Sequence, residues 1–134
     1  MSAETAVPIE GEPDIVVARQ EGRRLAERLG FAASDLALIA TAISEVARNI
    51  LQHAGRGEVL LSEVADGTRR GIEVVARDEG PGIPDVERAL QDGYSTASGL
   101  GLGLPGARRL MDEFEIETAR GRGTTVRMRR WLRP

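Results

Sequence analysis

Apolar residues recur every three or four positions in two stretches of the first half of the chain, which is the spacing of one helical face. The first stretch opens at Asp14, a suitable helix cap, and closes at Gly30, a residue suited to a left-handed helix end. The second opens at Ser34 and closes at Gly55, and its apolar stripe consists of Leu36, Ile39, Ala40, Ile43, Ala47, Ile50 and Leu51. The pattern predicts two consecutive amphipathic helices, the second about twenty residues long.

Short runs rich in valine, leucine, isoleucine and threonine, separated by turn residues, predict five strands. Four of them form two hairpins, turned at Asp66-Gly67 and at residues 120–123. The first strand contains Pro8 and is therefore expected at a sheet edge. The predicted strands are Thr5–Glu10, Glu58–Val64, Ile72–Arg77, Glu113–Ala119 and Thr124–Trp131.

A segment rich in glycine and serine lies between the two hairpins. It predicts a short helix over Asp85–Leu90, a loop over Asp92–Gly103 and a helix over Leu104–Met111. Helices inserted between strands that pair as hairpins predict an α/β (α+β) two-layer sandwich, in which helices cover one face of a mixed, largely antiparallel sheet. With 134 residues, no internal repeat and no long linker, we expect a single domain over residues 1–134.

Composition narrows the classes of function. Hydrophobic residues make up 41% and charged residues 29% of the chain, with a net charge of −3, as in an ordinary folded domain. We expect neither a membrane span nor a secretory signal, because no long apolar run and no basic-then-apolar leader occurs. The absence of cysteine excludes disulfides and thiolate zinc sites, and we expect a cytoplasmic protein. The chain has no lysine, which excludes a P-loop, and its one histidine excludes a His–His zinc site.

The second predicted helix carries polar residues opposite its apolar stripe. Glu45 and Asn49 lie one turn apart on one side of this helix, pointing away from the core, and His53 continues the line. A carboxylate and an amide oxygen stacked in this way can hold a hydrated divalent cation together with a nucleophile or a water. A solvated helix face is the alternative interpretation.

Three glycine-containing motifs follow along the chain. Residues 78–82 (D-E-G-P-G) come directly after a strand, so that the Asp78 carboxylate faces a place where a ligand donor can approach closely; the alternative is an ordinary turn. Residues 99–103 (G-L-G-L-G) open a helix, and their N–H groups are suited to a phosphate; the alternative is a flexible hinge. Thr124 enters the last strand after a glycine, where its hydroxyl can bind a base or a water, or where the pair simply forms a turn.

These four motifs, in this order, resemble those of the GHKL ATPase superfamily, whose nucleotide site is called the Bergerat fold. The resemblance spans Glu45 to Thr124, and the predicted elements fit that fold over the whole chain. Within the superfamily, four segments are similar to the small serine/threonine kinases of bacterial partner-switching systems, the RsbT type: Ser44–Asn49, Asp78–Asp85, Asp92–Thr96 and Gly101–Gly106.

The resemblance implies a role for each matching residue. Asn49 would ligate Mg²⁺, which bridges the phosphates of ATP, and Glu45 would orient or deprotonate the attacking hydroxyl. Asp78 would accept a hydrogen bond from the adenine amino group, with Thr124 in support. The resemblance also implies glycines that let the base approach, lid residues over the phosphates and a glycine cradle for them: Gly80, Gly82, Ser95, Thr96, Gly99, Gly101 and Gly103.

Several charged residues have no place in these motifs. Some superfamily members use a lysine near the phosphates; in this chain that role would fall to the backbone or to an arginine, for which Arg48 and Arg109 are the candidates. We interpret His53 as a structural residue, a helix cap or a surface side chain. The C-terminal arginines are interpreted as a solvated strand face rather than a nucleic-acid site, because the net charge is negative and no aromatic residues interleave: Arg127, Arg129, Arg130 and Arg133.

The resemblance implies a serine/threonine kinase that phosphorylates a STAS-domain antagonist and, when released, binds and activates a regulatory phosphatase. One alternative is an anti-sigma factor kinase that binds a sigma factor directly. Another is a nucleotide-dependent binding module without useful kinase activity. The catalytic domain of a sensor histidine kinase is disfavoured, because this chain contains no upstream dimerisation helix with a phospho-accepting histidine. Neither nucleic acid nor a membrane is expected among the partners.

Overall fold

The computed structural model describes residues 4–83 and 103–133, and these form one sheet with helices on one of its faces. All neighbouring strands are antiparallel, in the order β1-β2-β3-β5-β4. The strands are β1 (Thr5–Ile9), β2 (Gly57–Asp66), β3 (Arg69–Asp78), β4 (Glu113–Ala119) and β5 (Gly123–Trp131). The helices of the described part are α1 (Glu12–Leu29), α2 (Ala33–His53) and α3 (Gly103–Leu110). The predicted fold class is confirmed, and the predicted helix over Asp85–Leu90 lies outside the described residues.

The helix starts differ from the predicted ones. Gly11 rather than Asp14 caps α1, and the Asp14 carboxylate, now inside the first turn, accepts hydrogen bonds from the backbone N–H groups of Glu10 (2.8 Å) and Gly11 (3.2 Å). The cap of α2 is Ala32, so Ser34 also lies inside its helix. For α1 the reason for the earlier start is that the Asp14 carboxylate inside the first turn binds the backbone N–H groups at the helix start.

The core lies between the sheet and the helices. One face of each central strand and the apolar stripes of α1 and α2 meet there, and α1 approaches α2 closely at Gly22, where a Cβ atom would overlap the Ile43 side chain. The largest fully buried side chains are Ile9, Ile39, Ile43, Ile50, Leu61, Ile72, Met128, Val46, Val59, Val74 and Val126. The sheet and the helices that meet at this core are the two layers of the predicted sandwich. No described helix is both long and apolar enough to cross a membrane.

None of the described helices covers the other sheet face, which is lined by paired charges. Arg129 donates from Nε to Glu73 (2.7 Å), and Arg127 lies 3.8 Å from the same carboxylate. The hydrogen bond to Glu73 raises the pKa of Arg129 above its usual value. Leu60 and Val75 are buried on this face, with Arg127 directly opposite Val75 in register. The prediction of a solvated strand face describes Arg127 and Arg129, whose aliphatic stems can cover such apolar positions.

Arg130 contradicts the same prediction. Strand alternation places it on the helix-covered side, where its side chain is only 14% exposed. There it donates to the Leu110 carbonyl (2.6 Å) at the end of α3 and to Asp35 (2.7 Å) in the first turn of α2. One guanidinium therefore joins β5 to both helices, including the helix that carries Glu45 and Asn49.

We expect Arg130→Leu to lower the free energy of unfolding by about 1–3 kcal/mol, because it leaves a half-buried carboxylate and a helix-end carbonyl without their charged donor. The matched control is Arg133→Leu, which removes an exposed arginine from its pair with Asp112 and should cost less than about 0.5 kcal/mol. Urea denaturation of the three proteins measures both values. Equal losses in the two variants would contradict the structural role of Arg130.

Candidate active site

Asp78 lies in a row of residues that runs across the whole sheet at the ends of its strands. Antiparallel register places it opposite Gly57 on one side and Thr124 on the other, and Thr118 follows on the outer strand β4. The row lies on the helix-covered face, next to the last apolar row of the core. Gly57 is required here, since a Cβ atom would lie 2.8 Å from the Ile50 side chain of α2 and overlap the Arg77 carbonyl.

The Asp78 carboxylate has one oxygen engaged and one available. Oδ1 accepts the backbone N–H of Gly80 at 2.9 Å, which closes a turn and fixes the side chain. Oδ2 has no hydrogen-bond partner among the described residues. A carboxylate accepts hydrogen bonds only, so its available oxygen is suited to a ligand N–H group.

Gly80 and Gly82 allow close approaches, but the groups that approach them belong to the protein. A Cβ atom on Gly80 would lie 2.5 Å from that of Ala54, just after α2. Gly82 has a φ of +85°, and its Cβ atom would lie 2.7 Å from the Ala119 carbonyl oxygen. These contacts explain the two glycines by packing between α2 and the β4–β5 turn. The predicted contact of both with a base stays a prediction.

Thr118 is a member of the site that the motifs did not reveal. Its hydroxyl accepts the backbone N–H of Ile83 (2.8 Å) and lies 3.0 Å from the Thr124 hydroxyl. It thereby fixes the end of the loop that follows Asp78 and supports Thr124, which is buried. The pairing of β4 with β5 is the signal that could have found it, because Thr118 and Thr124 are directly opposite each other.

Glu45 and Asn49 lie one turn apart on α2, as predicted, but they are not solvated. The Glu45 side chain is 3% exposed and Asn49 is 7% exposed. Helical periodicity by itself predicts that only one side of α2 is covered. In the structure α2 packs against α1, the sheet and α3, so most of its circumference is enclosed. The solvated-face alternative is therefore wrong.

The two side chains differ in their hydrogen bonds. Glu45 Oε1 accepts from Arg48 Nη1 at 2.8 Å, so Arg48, a sequence candidate for a phosphate contact, lies against the carboxylate. The Asn49 carboxamide makes no hydrogen bond to the described residues. Every fully enclosed side-chain nitrogen or oxygen in the described part has a partner. The Asn49 amide is therefore not fully enclosed.

His53 lies one turn beyond Asn49 and lines a cavity of about 910 Å³. Of the two interpretations of His53, the helix cap does not hold, since the residue that caps α2 is Ala54, and a surface position stays a prediction. The cavity lies between the end of α2, the loop after Asp78 and the β4–β5 turn. Its walls are His53, Pro81, Gly82, Ile83, Thr118, Arg120 and Gly121.

The predicted phosphate cradle is described only at its last residue. Gly103 begins α3 with a φ of +49°, a conformation that favours glycine. Ser95, Thr96, Gly99 and Gly101 lie outside the described residues. Arg109 is exposed near the other end of α3, about 9 Å along the helix from Gly103 at 1.5 Å per residue.

The donor set fits a magnesium ion held jointly with phosphates. The described residues contain no group of three or more acidic or histidine side chains that could enclose a metal. Mg²⁺ keeps several waters and commonly takes few protein ligands together with substrate phosphates. The unbonded Asn49 amide, beside the Glu45 carboxylate, is compatible with that kind of coordination.

Comparison with known proteins decides the family. The model of the histidine kinase-like ATPase domain matches residues 9–130, which include every described element of the site. The chain belongs to this family. It is 50% identical to the serine/threonine-protein kinase RsbT of Bacillus subtilis (strain 168), over 99% of this chain and 100% of that protein.

More distant relatives include the anti-sigma F factors. Those of Thermoanaerobacter sp. (strain X514) and Geobacillus kaustophilus (strain HTA426) are 35% and 34% identical to the chain. Each match covers 73% of this chain and 71% or 70% of the relative. With these relatives the predicted activity, a partner-switching protein serine/threonine kinase, is confirmed. Membership in the family also implies the use of ATP.

We expect Gly123→Ala to weaken ATP binding by at least about tenfold, or about 1.4 kcal/mol. Gly123 has a φ of +89°, and a Cβ atom there would overlap the backbone carbonyl of Asp78. The strand end that carries the Asp78 carboxylate must then move. Calorimetric titration with ATP measures the effect.

Gly121→Ala is the matched control in the same turn. Gly121 also has a positive φ (+75°), but no atom lies within 4 Å of the added Cβ position. Both variants therefore bear the backbone strain, and only Gly123→Ala adds the overlap. Similar ATP affinities in the two variants would show that the contact with Asp78 does not matter.

Proposed function

We propose that the chain transfers the γ-phosphate of ATP to a serine or threonine of a STAS-domain antagonist protein, in a partner-switching pathway. The observation that carries the proposal is the buried Glu45 carboxylate one turn before an Asn49 amide that makes no hydrogen bond to the described residues. Such a pair on an enclosed helix face costs folding energy that an ordinary surface helix does not incur. A site for phosphate transfer accounts for it, because this chemistry requires positioned charge near the phosphates.

In this proposal the nucleotide is bound between the sheet end and α2. Asp78 accepts a hydrogen bond from the adenine amino group through Oδ2, and Thr124, held by Thr118, supports the base. Asn49 would hold Mg²⁺, which when bound neutralises charge on the phosphates. The cradle formed by Gly99, Gly101 and Gly103, with a lid that contains Ser95 and Thr96, stays a prediction.

Glu45 orients or deprotonates the hydroxyl that attacks the γ-phosphate. It lies on the same helix face as Asn49 and away from Asp78, so one end of the site binds the base and the other performs the transfer. The end that performs the transfer distinguishes the proposed kinase from a nucleotide-dependent binding module without transferase activity. A binding module has no use for a buried carboxylate beside the metal ligand.

The downstream partner has two candidates. We propose that the free kinase binds and activates a regulatory phosphatase. The similarity to anti-sigma F factors favours a second candidate, direct binding of a sigma factor. A cytoplasmic location and the exclusion of nucleic acid and membranes as partners stay predictions.

The decisive experiment incubates the chain with [γ-³²P]ATP, Mg²⁺ and STAS-domain proteins encoded in the same genome, and then maps the labelled residue. We expect label on one serine or threonine, its loss with EDTA and its return with added Mg²⁺. Pull-down of phosphatases and sigma factors by the free kinase distinguishes the two downstream candidates. If no STAS protein is labelled, the proposed substrate class is wrong.

Asp78→Asn should weaken ATP binding by roughly 10- to 150-fold, the equivalent of a lost hydrogen bond to a charged group. The amide oxygen of asparagine can still accept the Gly80 N–H, so the turn and the fold should persist. Glu79→Gln makes the same chemical change on the adjacent, exposed residue and should leave the affinity within about twofold. Near-normal affinity in folded Asp78→Asn would refute the assignment of the base contact.

Glu45→Ala should bind ATP normally and transfer phosphate roughly 10²–10⁴-fold more slowly, as expected when a general base is removed. It should also remain in complex with the unphosphorylated antagonist. Calorimetry measures the ATP affinity, and mass spectrometry measures the phosphorylation of the antagonist. The expected binding and the expected slow transfer are thereby tested separately. Transfer at the wild-type rate would mean that Glu45 has another role.

A further inference from the structure

The described helices α1 and α2 each contain the same kind of ion pair, in two different environments. Glu21 and Arg24 on α1 are three residues apart and 3.0 Å from each other, with side chains 35% and 68% exposed. Glu45 and Arg48 on α2 have the same spacing and a distance of 2.8 Å, but are 3% and 23% exposed. Residue types and helical geometry are equal, so the difference between the pairs lies in their burial.

Burial changes what the second pair does. An exposed pair of this kind contributes little, because water solvates each charge nearly as well as the partner does. A carboxylate removed from water needs a charged or hydrogen-bonding partner, and Arg48 is the only residue of the described part that supplies one to Glu45. The hydrogen bond is directional, so Arg48 restricts both the position and the rotation of the carboxylate.

The bond also makes the two carboxylate oxygens unequal. Oε1 is held by Arg48, whereas Oε2 has no hydrogen-bond partner among the described residues. Since each fully enclosed polar side-chain atom there does have a partner, Oε2 is not fully enclosed. We propose that Arg48 is a positioning residue for phosphate transfer: it holds Oε1 of Glu45 and thereby presents Oε2 to the substrate hydroxyl.

This inference rests on the proposed function and assigns the proton acceptor to one atom. The hydroxyl oxygen of the substrate forms a bond to the γ-phosphorus, and the bond from that phosphorus to the β–γ bridging oxygen breaks. ADP leaves with the electron pair, and the hydroxyl proton passes to Oε2. Arg48 touches neither ATP nor the substrate in this scheme and acts only through Glu45.

The competing role is a direct contact of Arg48 with the phosphates, in place of the lysine that the chain lacks. The two roles predict different results in a double-mutant cycle. We compare the wild type, Glu45→Ala, Arg48→Ala and the double variant, in single-turnover transfer to the STAS-domain protein labelled above and in calorimetric ATP binding.

For a positioning residue, Arg48→Ala should slow transfer by roughly 10- to 100-fold, the scale expected for a misplaced catalytic group, with ATP affinity within about threefold of wild type. The double variant should be no slower than Glu45→Ala alone. Slowing that multiplies in the double variant, or a loss of ATP affinity of about tenfold or more, would overturn the proposal and favour the phosphate contact.

Two further variants separate positioning from a general effect on the fold. Arg24→Ala removes the exposed copy of the pair and should leave ATP binding and hydrolysis unchanged. Arg48→Lys keeps the charge without the planar guanidinium and should recover part of the rate. If Arg48→Ala does not fold, Arg48→Gln takes its place in the cycle with the same expected result. No rate recovery in a folded Arg48→Lys would contradict a positioning charge.

Failure of the proposed function gives a different pattern. If the wild type labels no STAS-domain protein, the same four proteins are compared in ATP hydrolysis, with water as the acceptor. Non-additive slowing there supports the positioning role even though the substrate class is wrong. Additive slowing refutes the role of Arg48 whatever the substrate.

Discussion

The site depends on the register of the antiparallel sheet. Because β5 lies between β3 and β4, the end of β3 is paired with the start of β5, and Asp78 is directly opposite Thr124. The same row continues to Thr118 and, in the other direction, to Gly57. A shift of one residue in any of these pairings would turn the polar row to the open face of the sheet. The close contacts of Gly57 and Gly123 with neighbouring backbone resist such a shift.

The second constraint is the enclosure of α2 on several sides. It is the central helix, and it contacts α1, α3 and the sheet, so its polar residues cannot all reach water. Glu45 is compensated by Arg48, and the Asn49 amide makes no hydrogen bond within the described part of the chain. The helix therefore bears a cost in stability along one line of residues. Functional sites are where such costs are commonly found.

The arginines have different partners on the two faces of the sheet. On the open face, arginines pair with glutamates of neighbouring strands, on the same side as the buried apolar pair Leu60 and Val75. On the helix side, Arg130 connects β5 with the start of α2 and the end of α3. A chain without lysine thus uses arginine both for surface charge and for buried connections. The planar guanidinium suits the buried positions, because one side chain can serve two acceptors at fixed geometry.

Local signals in the sequence were sufficient to predict the helices and strands. They also placed the polar residues Glu45 and Asn49 on one face of α2. Strand alternation, helical spacing and turn residues predicted every described strand and helix to within a few positions. The order of the motifs predicted the family. The N-terminal caps of α1 and α2 were missed, because Gly11 and Ala32 carry no capping side chain, whereas the predicted cap Gly30 at the end of α1 is confirmed.

Only the tertiary structure decided what surrounds these residues. Periodicity describes one helix at a time, so it placed Glu45 and Asn49 away from the core without showing that α3 packs on that helix. The roles of Thr118, Arg48 and Arg130 arise from a paired strand, a buried neighbour and two distant helix ends, so the sequence motifs did not show them. Sequence determined which residues share a face, because that follows from local backbone geometry. Burial and the choice of partner follow from contacts between segments far apart in the chain, and those exist only once the chain is folded.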